Sequence, residues 1–268
     1  MRVAEHTITL DQSPVFYRSA PAADPPPLFL HGIPTSSDDW SELLEHTGGI
    51  APDLIGFGRS GKGGQLDYSL SGLSEFVIEL LDELEVGRVK LVGHDWGAAV
   101  GLTLAEQYPE RVERIVLCNP LPPVPTVHWP RLARVWRRPV VGELAMGSTT
   151  KALFARALRR ASANPETWPK PRIDALWDQF DQGTQRAILR LHRATDTQLL
   201  VSTTAALDRV TQRTLIVVGE RDPWRDARDS DELAARLPSA QVIRFPEAGH
   251  WAWRDDAAAA NAIADFLR

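Results

Sequence analysis

The sequence has a single cysteine and no long apolar segment. Cys118 is that cysteine among 268 residues, so an internal disulfide framework is excluded, and its place in the apolar run RIVLCNP predicts a buried thiol. No apolar run approaches the roughly 20 residues that a membrane-spanning helix needs. The opening residues MRVAEHTITLDQ lack the apolar core of a signal peptide, so we expect a cytoplasmic protein.

Charge and histidine patterning exclude other classes of function. The net charge of −5 is mild, which argues against nucleic-acid or membrane-surface partners. The seven histidines show no metal-ligand spacing, so we expect neither a metal site nor another cofactor. With 43% hydrophobic and 24% charged residues, the composition is that of an ordinary globular chain.

Short apolar runs alternate with helical patterns along most of the chain. HTITL and VFYRSA alternate like the two strands of a hairpin, whereas other runs are continuously apolar, as buried strands are. Residues 69–85 and 98–108 have helical spacing, and residues 255–267 predict a final helix. This alternation predicts an α/β fold with a mostly parallel sheet covered by helices on both faces. The continuous apolar runs are PPLFLHG, RVKLVGH, RVERIVLCNP, RTLIVVGE and AQVIRF.

A helical insertion interrupts this rhythm. Prolines at 120, 122, 123 and 125 mark an exit from the sheet, and residues from about 128 to 208 contain helical segments without a convincing strand. We therefore predict a core domain made of residues 1–119 and 209–268, and a helical domain made of residues 120–208.

Three candidates for acid–base chemistry follow predicted strands. Asp95 comes after VKLVGH, Asp222 after LIVVGER and His250 after VIRFPEAG. The carboxyl ends of parallel strands form the crevice in which ligands bind, so these side chains are expected to converge there. Their order along the chain, nucleophile, acid and histidine, is that of α/β-hydrolases. Other acids near the second position are Glu220, Asp226 and Asp229.

Motifs on both sides of the insertion resemble a known family. HGIP, PDLIGFGRSGK, GHDWGAAVGL, GERDPW and GHW are similar to the α/β-hydrolase fold family, and to its aspartate-nucleophile branch of haloalkane dehalogenases and epoxide hydrolases. The resemblance implies that the insertion is a cap domain. It also implies a cofactor-free hydrolase, a monomer or small homo-oligomer, that acts with water on a small apolar organic substrate.

An aspartate in place of the usual serine changes the chemistry. Aspartate is ionised at neutral pH and attacks saturated carbon without a general base. Asp95 would form an ester with the substrate, and His250, oriented by Asp222, would activate the water that hydrolyses it. By analogy with the fold, the backbone N–H groups of Ile33 and Trp96 would form the oxyanion hole.

The side chains that could stabilise a leaving group favour a halide over the oxygen of an epoxide. Trp96 follows the nucleophile, as a halide-binding tryptophan does in haloalkane dehalogenases, and Trp129 beside His128 is the preferred second site. Trp136 and Trp177 lie on apolar helical faces, which favours core packing. The second donor thus departs from the family pattern, since position 33 is Ile33 rather than asparagine.

Other substrates and functions remain open. Epoxide hydrolases use cap tyrosines, whereas the three tyrosines here lie outside the insertion, so His128 or His192 would have to replace them. Dehalogenases of halogenated acids place an arginine after the nucleophile, where this chain has Trp96, so a halogenated acid is not expected. A non-catalytic binder would have lost a triad member, and an esterase would need a serine at position 95.

Two further features leave alternatives open. Asn119 either orients a water or caps a strand. Residues 131–160 hold eight cations against one acid, Glu143, which predicts a solvated helical face or else weak steering of an anion. The eight are Arg131, Arg134, Arg137, Arg138, Lys151, Arg156, Arg159 and Arg160.

Overall fold

Eight strands form one sheet in the computed structural model, which describes residues 1–122, 127, 129–195, 199, 203 and 205–268. Their order is β1-β2-β4-β3-β5-β6-β7-β8. Strand β2 runs antiparallel to β1 and β4, and the pairs from β4 through β8 are parallel. The predicted fold class is therefore confirmed. The strands are β1 (Ala4–Leu10), β2 (Ser13–Ala20), β3 (Pro27–Leu30), β4 (Gly49–Pro52), β5 (Val89–His94), β6 (Val112–Cys118), β7 (Arg213–Gly219) and β8 (Ala240–Phe245).

Strand burial explains most of the sequence pattern. Every residue of β3 and β5 is buried, as expected of strands covered on both faces. Strand β1 lies at the edge of the sheet and has no fully buried residue. Strand β4 was not expected, because GIAP is only four residues long and is bounded by glycine and proline; its pairing with β2 and β3 is what makes it a strand.

Eleven helices have both ends in the described residues, and five of them lie between β6 and β7. Helix α2 starts after Ser69, whose hydroxyl accepts a hydrogen bond from the N–H of Gly72, so the predicted start is confirmed. The helices are α1 (Ser41–Thr47), α2 (Leu70–Glu83), α3 (Trp96–Gln107), α4 (Arg131–Trp136), α5 (Val141–Gly147), α6 (Lys151–Ala161), α7 (Lys170–Gln179), α8 (Gln182–Ala194), α9 (Ala227–Arg236), α10 (Ala252–Asp255) and α11 (Ala257–Leu267).

Helices α4 to α8 lie between β6 and β7, and the described residues of this segment form no strand. Burial of Phe154, Leu158 and Ala161 shows that one face of α6 packs inward. The segment matches the predicted helical insertion, while the division into a core of 1–119 and 209–268 and a cap of 120–208 stays a prediction. Within the described residues, no helix combines the length and apolarity that crossing a bilayer requires.

The end of helix α6 is bonded to the loop after β8. Asp255 accepts hydrogen bonds from the N–H groups of Ala163 and Gly249, both at 2.8 Å, and from the hydroxyl of Thr167 at 2.8 Å. The N–H of His250 donates to the carbonyl of Ala161 at 2.7 Å. The insertion and the sheet therefore share a hydrogen-bonded junction at His250.

Two glycines allow helix α3 to approach the sheet closely. A Cβ at Gly97 would lie 2.3 Å from the carbonyl oxygen of Leu30 and 2.5 Å from that of His31. A Cβ at Gly93 would lie 2.6 Å from the Cα of Ala98. Since these are backbone atoms, larger side chains at either glycine would push α3 away from β3 and β5.

Gly97→Ala is expected to destabilise the protein by about 1–3 kcal/mol, because overpacking against fixed backbone forces it to shift. Gly87→Ala is the matched control, since Gly87 is exposed and an added Cβ would have open space around it. Urea unfolding measures both. Equal stability of the two variants would contradict the close approach as the reason for the glycine.

Candidate active site

Asp95 lies at the turn between β5 and α3. Its backbone has φ 51° and ψ −115°, a conformation that is strained for a residue with a side chain. Hydrogen bonds hold the turn: the N–H of Asp95 donates to the carbonyl of Cys118, and the carbonyl of Asp95 accepts from the N–H groups of Ala98 and Leu121. The residue is 2% exposed, so the turn presents a buried carboxylate at the end of the sheet.

Asp222 and His250 are hydrogen-bonded to each other. The Nδ1 of His250 lies 2.6 Å from the Oδ2 of Asp222, and both side chains are almost completely buried. Because a carboxylate only accepts, Nδ1 carries the proton and Nε2 is left with its lone pair when the ring is neutral. The Nε2 atom is buried and has no hydrogen-bond partner in the described part of the chain.

Of the four acids near the end of β7, Asp222 is the one bonded to the histidine. Glu220 pairs with Arg244, and Asp226 pairs with Arg228. The sequence pattern favoured Asp222 over the other three acids, and the hydrogen bond to His250 agrees with that choice, while its catalytic role stays a prediction.

Asn119 bonds directly to Asp222. Its amide nitrogen donates to the Oδ2 of Asp222 at 2.9 Å and to the carbonyl of Gly219 at 3.1 Å, while its oxygen accepts from the N–H of Gly219 at 2.9 Å. The residue has φ 39°, which asparagine tolerates better than most residues. The two bonds to Gly219, the last residue of β7, agree with the expected capping role, whereas the bond that orients the carboxylate of Asp222 was not expected.

Arg225 is the functional candidate that the sequence pattern did not reveal. Its Nε donates to the Oδ1 of Asp95 at 2.9 Å, and its Nη2 donates to the same oxygen. The two side chains are 8% and 3% exposed, so this is a buried ion pair. A signal was available, since Arg225 follows Asp222 by three residues in a loop at a strand end, but the expected position for a cation was next to the nucleophile.

Arg225 controls the ionisation of Asp95. Burial by itself raises the pKa of Asp95, but the charge of Arg225 and the hydrogen bonds that it donates outweigh burial, so the pKa falls to about 2. The carboxylate is therefore ionised at neutral pH, as a nucleophile requires.

Backbone donors lie next to the carboxylate. The N–H of Ile33 points to the Oδ2 of Asp95 at 3.4 Å. Trp96 is the first residue of α3, so its N–H has no partner within the helix. Both residues predicted for the oxyanion hole thus lie beside Asp95, and their role stays a prediction.

His31 and His94 make structural hydrogen bonds, as expected. His31 donates from Nδ1 to the carbonyl of Gly32 at 2.7 Å and accepts from the N–H of Leu54 at Nε2. His94 donates from Nε2 to the carbonyl of His250 at 3.0 Å. Burial lowers the pKa of both rings, so they remain neutral supports of the turns around Asp95.

A cavity of about 500 Å³ lies between Asp95 and the helices of the insertion. Most of its wall is apolar. Leu132 of α4 and Leu153 of α6 line it and are 51% and 59% exposed, which places its mouth between these helices. Trp96 and Trp129, both predicted to contact substrate, lie in the wall, whereas His128 falls outside the described residues. Other lining residues include Ile33, Pro34, Trp136, Ser148, Thr149, Phe154, Leu158, Phe180, Ile188, His192, Trp224 and Arg225.

His192 lies among the tryptophans of the cavity wall. Its ring centroid is 4.8 Å from that of Trp96, 5.2 Å from Trp136 and 5.9 Å from Trp129. Its Nδ1 donates to the carbonyl of Ile188 at 2.8 Å. Burial lowers the pKa of His192 to about 4, so the neutral ring has no second proton and its Nε2 cannot donate to a leaving group.

Other aromatic residues of the insertion are structural. Trp177 packs against Phe154 and Phe180, as its helical spacing predicted. Trp168 is buried, donates from Nε1 to the hydroxyl of Ser162 and packs edge-on against Trp251. Trp136 departs from expectation, because it lines the cavity as well as packing against the core.

The basic residues between 131 and 160 do not themselves line the cavity, although the guanidinium of Arg137 lies 4.7 Å from the ring centroid of Trp129 in its wall. None of the eight cations between residues 131 and 160 belongs to the described lining. Six of them are exposed, which agrees with a solvated face: Arg131, Arg134, Arg138, Arg156, Arg159 and Arg160.

Residues 25–256 match the model of the alpha/beta hydrolase fold family. The chain belongs to this family. It is an α/β-fold hydrolase, and its relatives include haloalkane dehalogenases. That of Mesorhizobium japonicum is 28% identical over 97% of this chain and 90% of the relative. That of Mycobacterium marinum is 32% identical over 82% of this chain and 76% of the relative.

A solved structure shows the same fold over nearly the whole hydrolase. The haloalkane dehalogenase DbeA from Bradyrhizobium elkani has a TM-score of 0.83 and 26% identity, covering 99% of this chain and 98% of that one. The resemblance to the α/β-hydrolase family that the sequence motifs predicted is confirmed.

The buried His192 is expected to make the hydrolase lose stability on acidification. Its pKa is lowered to about 4 in the fold, so the unfolded chain takes up a proton first, and stability falls between pH 6.5 and pH 4 by about 3 kcal/mol. His192→Gln, which keeps a donor for Ile188, removes this part of the pH dependence.

Urea unfolding at pH 7, 5.5 and 4 measures the difference between the two proteins. Burial raises the pKa of Asp39 to about 6, so Asp39 makes stability rise on acidification. This contribution is the same in both proteins and cancels in the difference between them. His46→Gln, at an exposed position, is the control and should follow the unchanged protein. Parallel curves for His192→Gln and the unchanged protein would refute the buried neutral ring.

Proposed function

We propose that this hydrolase cleaves carbon–halogen bonds through a covalent ester on Asp95. The observation that carries the proposal is an ionised aspartate at the strained turn after β5, at the wall of an apolar cavity and beside the Asp222–His250 pair. The haloalkane dehalogenases among its relatives support the same reaction class.

In the first step, a carboxylate oxygen of Asp95 attacks the carbon that bears the halogen. A C–O bond forms as the C–X bond breaks, and the halide leaves with the bonding electrons. The mostly apolar wall excludes water, which strengthens the nucleophile. Trp96 and Trp129 lie in the wall and supply indole N–H groups, the donor type that suits a departing anion.

In the second step, His250 takes a proton from water, and the resulting hydroxide attacks the carbonyl carbon of the ester. Asp222 stabilises the imidazolium that forms, and Asn119 holds Asp222 in place. The N–H groups of Ile33 and Trp96 face the developing oxyanion, and each such donor contributes roughly 3 kcal/mol in comparable sites. The ester C–O bond then breaks, the departing alkoxide takes the proton from His250 to leave as the alcohol, and loss of the remaining acid proton to solvent restores the carboxylate of Asp95.

Epoxide opening has less support in this cavity. None of the three tyrosines lines it, and Tyr68 donates its hydroxyl proton to the carbonyl of Gly63. His192, expected as a substitute donor, has its single proton on Nδ1 and bonded to Ile188. An esterase mechanism lacks a serine at position 95.

Two variants separate the steps of the proposed reaction. Asp95→Asn should lower halide release from a panel of bromoalkanes by at least about 10³-fold, because the uncharged amide is a poor nucleophile. His250→Gln should release at most one equivalent of bromide and accumulate the alkylated protein, which intact-protein mass spectrometry detects. His46→Gln serves as control. Turnover by Asp95→Asn at the unchanged rate would exclude the mechanism, whereas diol from epoxides without bromide release would favour the epoxide alternative.

Asn119 is expected to act on the second step through Asp222. Asn119→Gly removes the amide but accepts the positive φ, so a fall of roughly ten- to hundredfold in kcat would report lost orientation rather than backbone strain. Rapid-quench experiments should show the alkyl-enzyme accumulating while its formation rate stays within about threefold. If formation slows as much as turnover, Asn119 only supports the fold.

A further inference from the structure

Arg225 lowers the pKa of Asp95, but an apolar substrate would make no use of the remaining donors of its buried guanidinium. The side chain is 8% exposed and lies in the cavity wall, where removing a charge from water is unfavourable. His192 is neutral above pH 4, so Arg225 is the one cation at neutral pH in the described wall. The adjacent carboxylate balances its charge, but this pairing also occupies the nucleophile.

The pairing involves one oxygen of Asp95. Nε and Nη2 of Arg225 both donate to Oδ1, while Oδ2 faces the N–H of Ile33. Because Oδ2 faces the oxyanion donors, Oδ1 is the oxygen that attacks the substrate carbon. Attack needs a lone pair of Oδ1, so Oδ1 must give up at least one of its two hydrogen bonds from Arg225. Of the other N–H groups of Arg225, one donates to the carbonyl of Trp224 at 3.3 Å, and two have no acceptor among the described residues.

We propose that the substrate carries a carboxylate next to the carbon that bears the halogen, and that Arg225 binds this carboxylate. The guanidinium has a planar fork of donors that matches a carboxylate. A carboxylate nucleophile would otherwise repel an anionic substrate, and a cation placed between the two carboxylates offsets that repulsion. This inference rests on the proposed function and names its substrate class.

The reaction follows from transfer of the arginine between two carboxylates. As Arg225 turns its donors to the substrate, Oδ1 of Asp95 forms the C–O bond and the halide departs with the C–X electron pair. Water then cleaves the ester, which yields a 2-hydroxycarboxylate, halide and one proton and restores Asp95. The expectation against a halogenated acid considered only the residue after the nucleophile, whereas the structure brings the cation from the loop after β7.

Binding is measured first, without turnover. Propionate, titrated in chloride-free buffer, should change the fluorescence of the cavity tryptophans saturably, and Arg225→Met should weaken binding at least tenfold. Arg225→Lys, which keeps the charge but not the fork, should be intermediate. Asp95→Asn should tighten binding, because it removes the competing carboxylate. Arg221→Met is the matched control: Arg221 lies in the same loop but is exposed and paired with Glu247.

Selectivity is measured second, as halide release from 2-chloropropionate and its neutral analogue 2-chloropropionamide. The unchanged hydrolase should prefer the anion by at least a hundredfold in kcat/KM, and Arg225→Met should reduce that ratio to below ten. Circular dichroism checks folding of each variant, and Arg225→Lys and Arg225→Gln carry the comparison if Arg225→Met does not fold.

The two measurements distinguish the failure of each proposal. Equal propionate binding by the unchanged protein and Arg225→Met would overturn the carboxylate site. The carboxylate site would also be overturned if Arg225→Met turned over 2-chloropropionamide faster than the unchanged protein and 2-chloropropionate equally fast. That result would show that Arg225 restrains the nucleophile. Arginine-dependent propionate binding without halide release from any substrate would keep the anion site and refute the dehalogenase proposal.

Discussion

The close approach of helix α3 to strands β3 and β5 is the constraint on which the active site depends. Gly93 and Gly97 leave no room for a Cβ on either side of Asp95, so the chain passes from strand to helix in one strained residue. Relaxing the turn would move the carboxylate away from the N–H of Ile33. The strain is held by the surrounding backbone hydrogen bonds to Cys118 and Leu121.

A second constraint comes from the carboxylate of Asp222, whose two oxygens have separate tasks. Oδ2 accepts from His250 and Asn119, which fixes the base. Oδ1 accepts from the N–H groups of Trp224 and Arg225, at 2.7 Å and 3.2 Å, which folds the turn that brings Arg225 to Asp95. One side chain therefore sets the positions of both the base and the cation relative to the nucleophile.

The sequence predicted the fold and the three strand-end residues because both follow from simple periodicity. Buried parallel strands are continuous apolar runs, and residues that follow them meet at one edge of the sheet. Asp95, Asp222 and His250 were found in this way, and their catalytic roles stay predictions.

Arg225 was missed for a physical reason. Its contact depends on how a turn aims a long side chain, and spacing does not encode that direction. The same limit applies to Asn119, whose partner lies 103 residues away. Strand β4 was missed because its pairing with β2 and β3, rather than its own four residues, makes it a strand. His192 was named as a possible substitute donor, but although it lines the cavity its proton is bonded to the carbonyl of Ile188 within its own helix, which spacing does not reveal.

The junction at Asp255 divides the insertion into two regions with different freedom to change. The end of α6 supplies the carbonyl of Ala161 that holds the backbone of His250, so altering this region also disturbs the base. At the mouth of the cavity, Leu132 of α4 is half exposed to solvent. Divergence among related hydrolases can therefore remodel substrate entry on the α4 side, while the α6 end must preserve its backbone geometry.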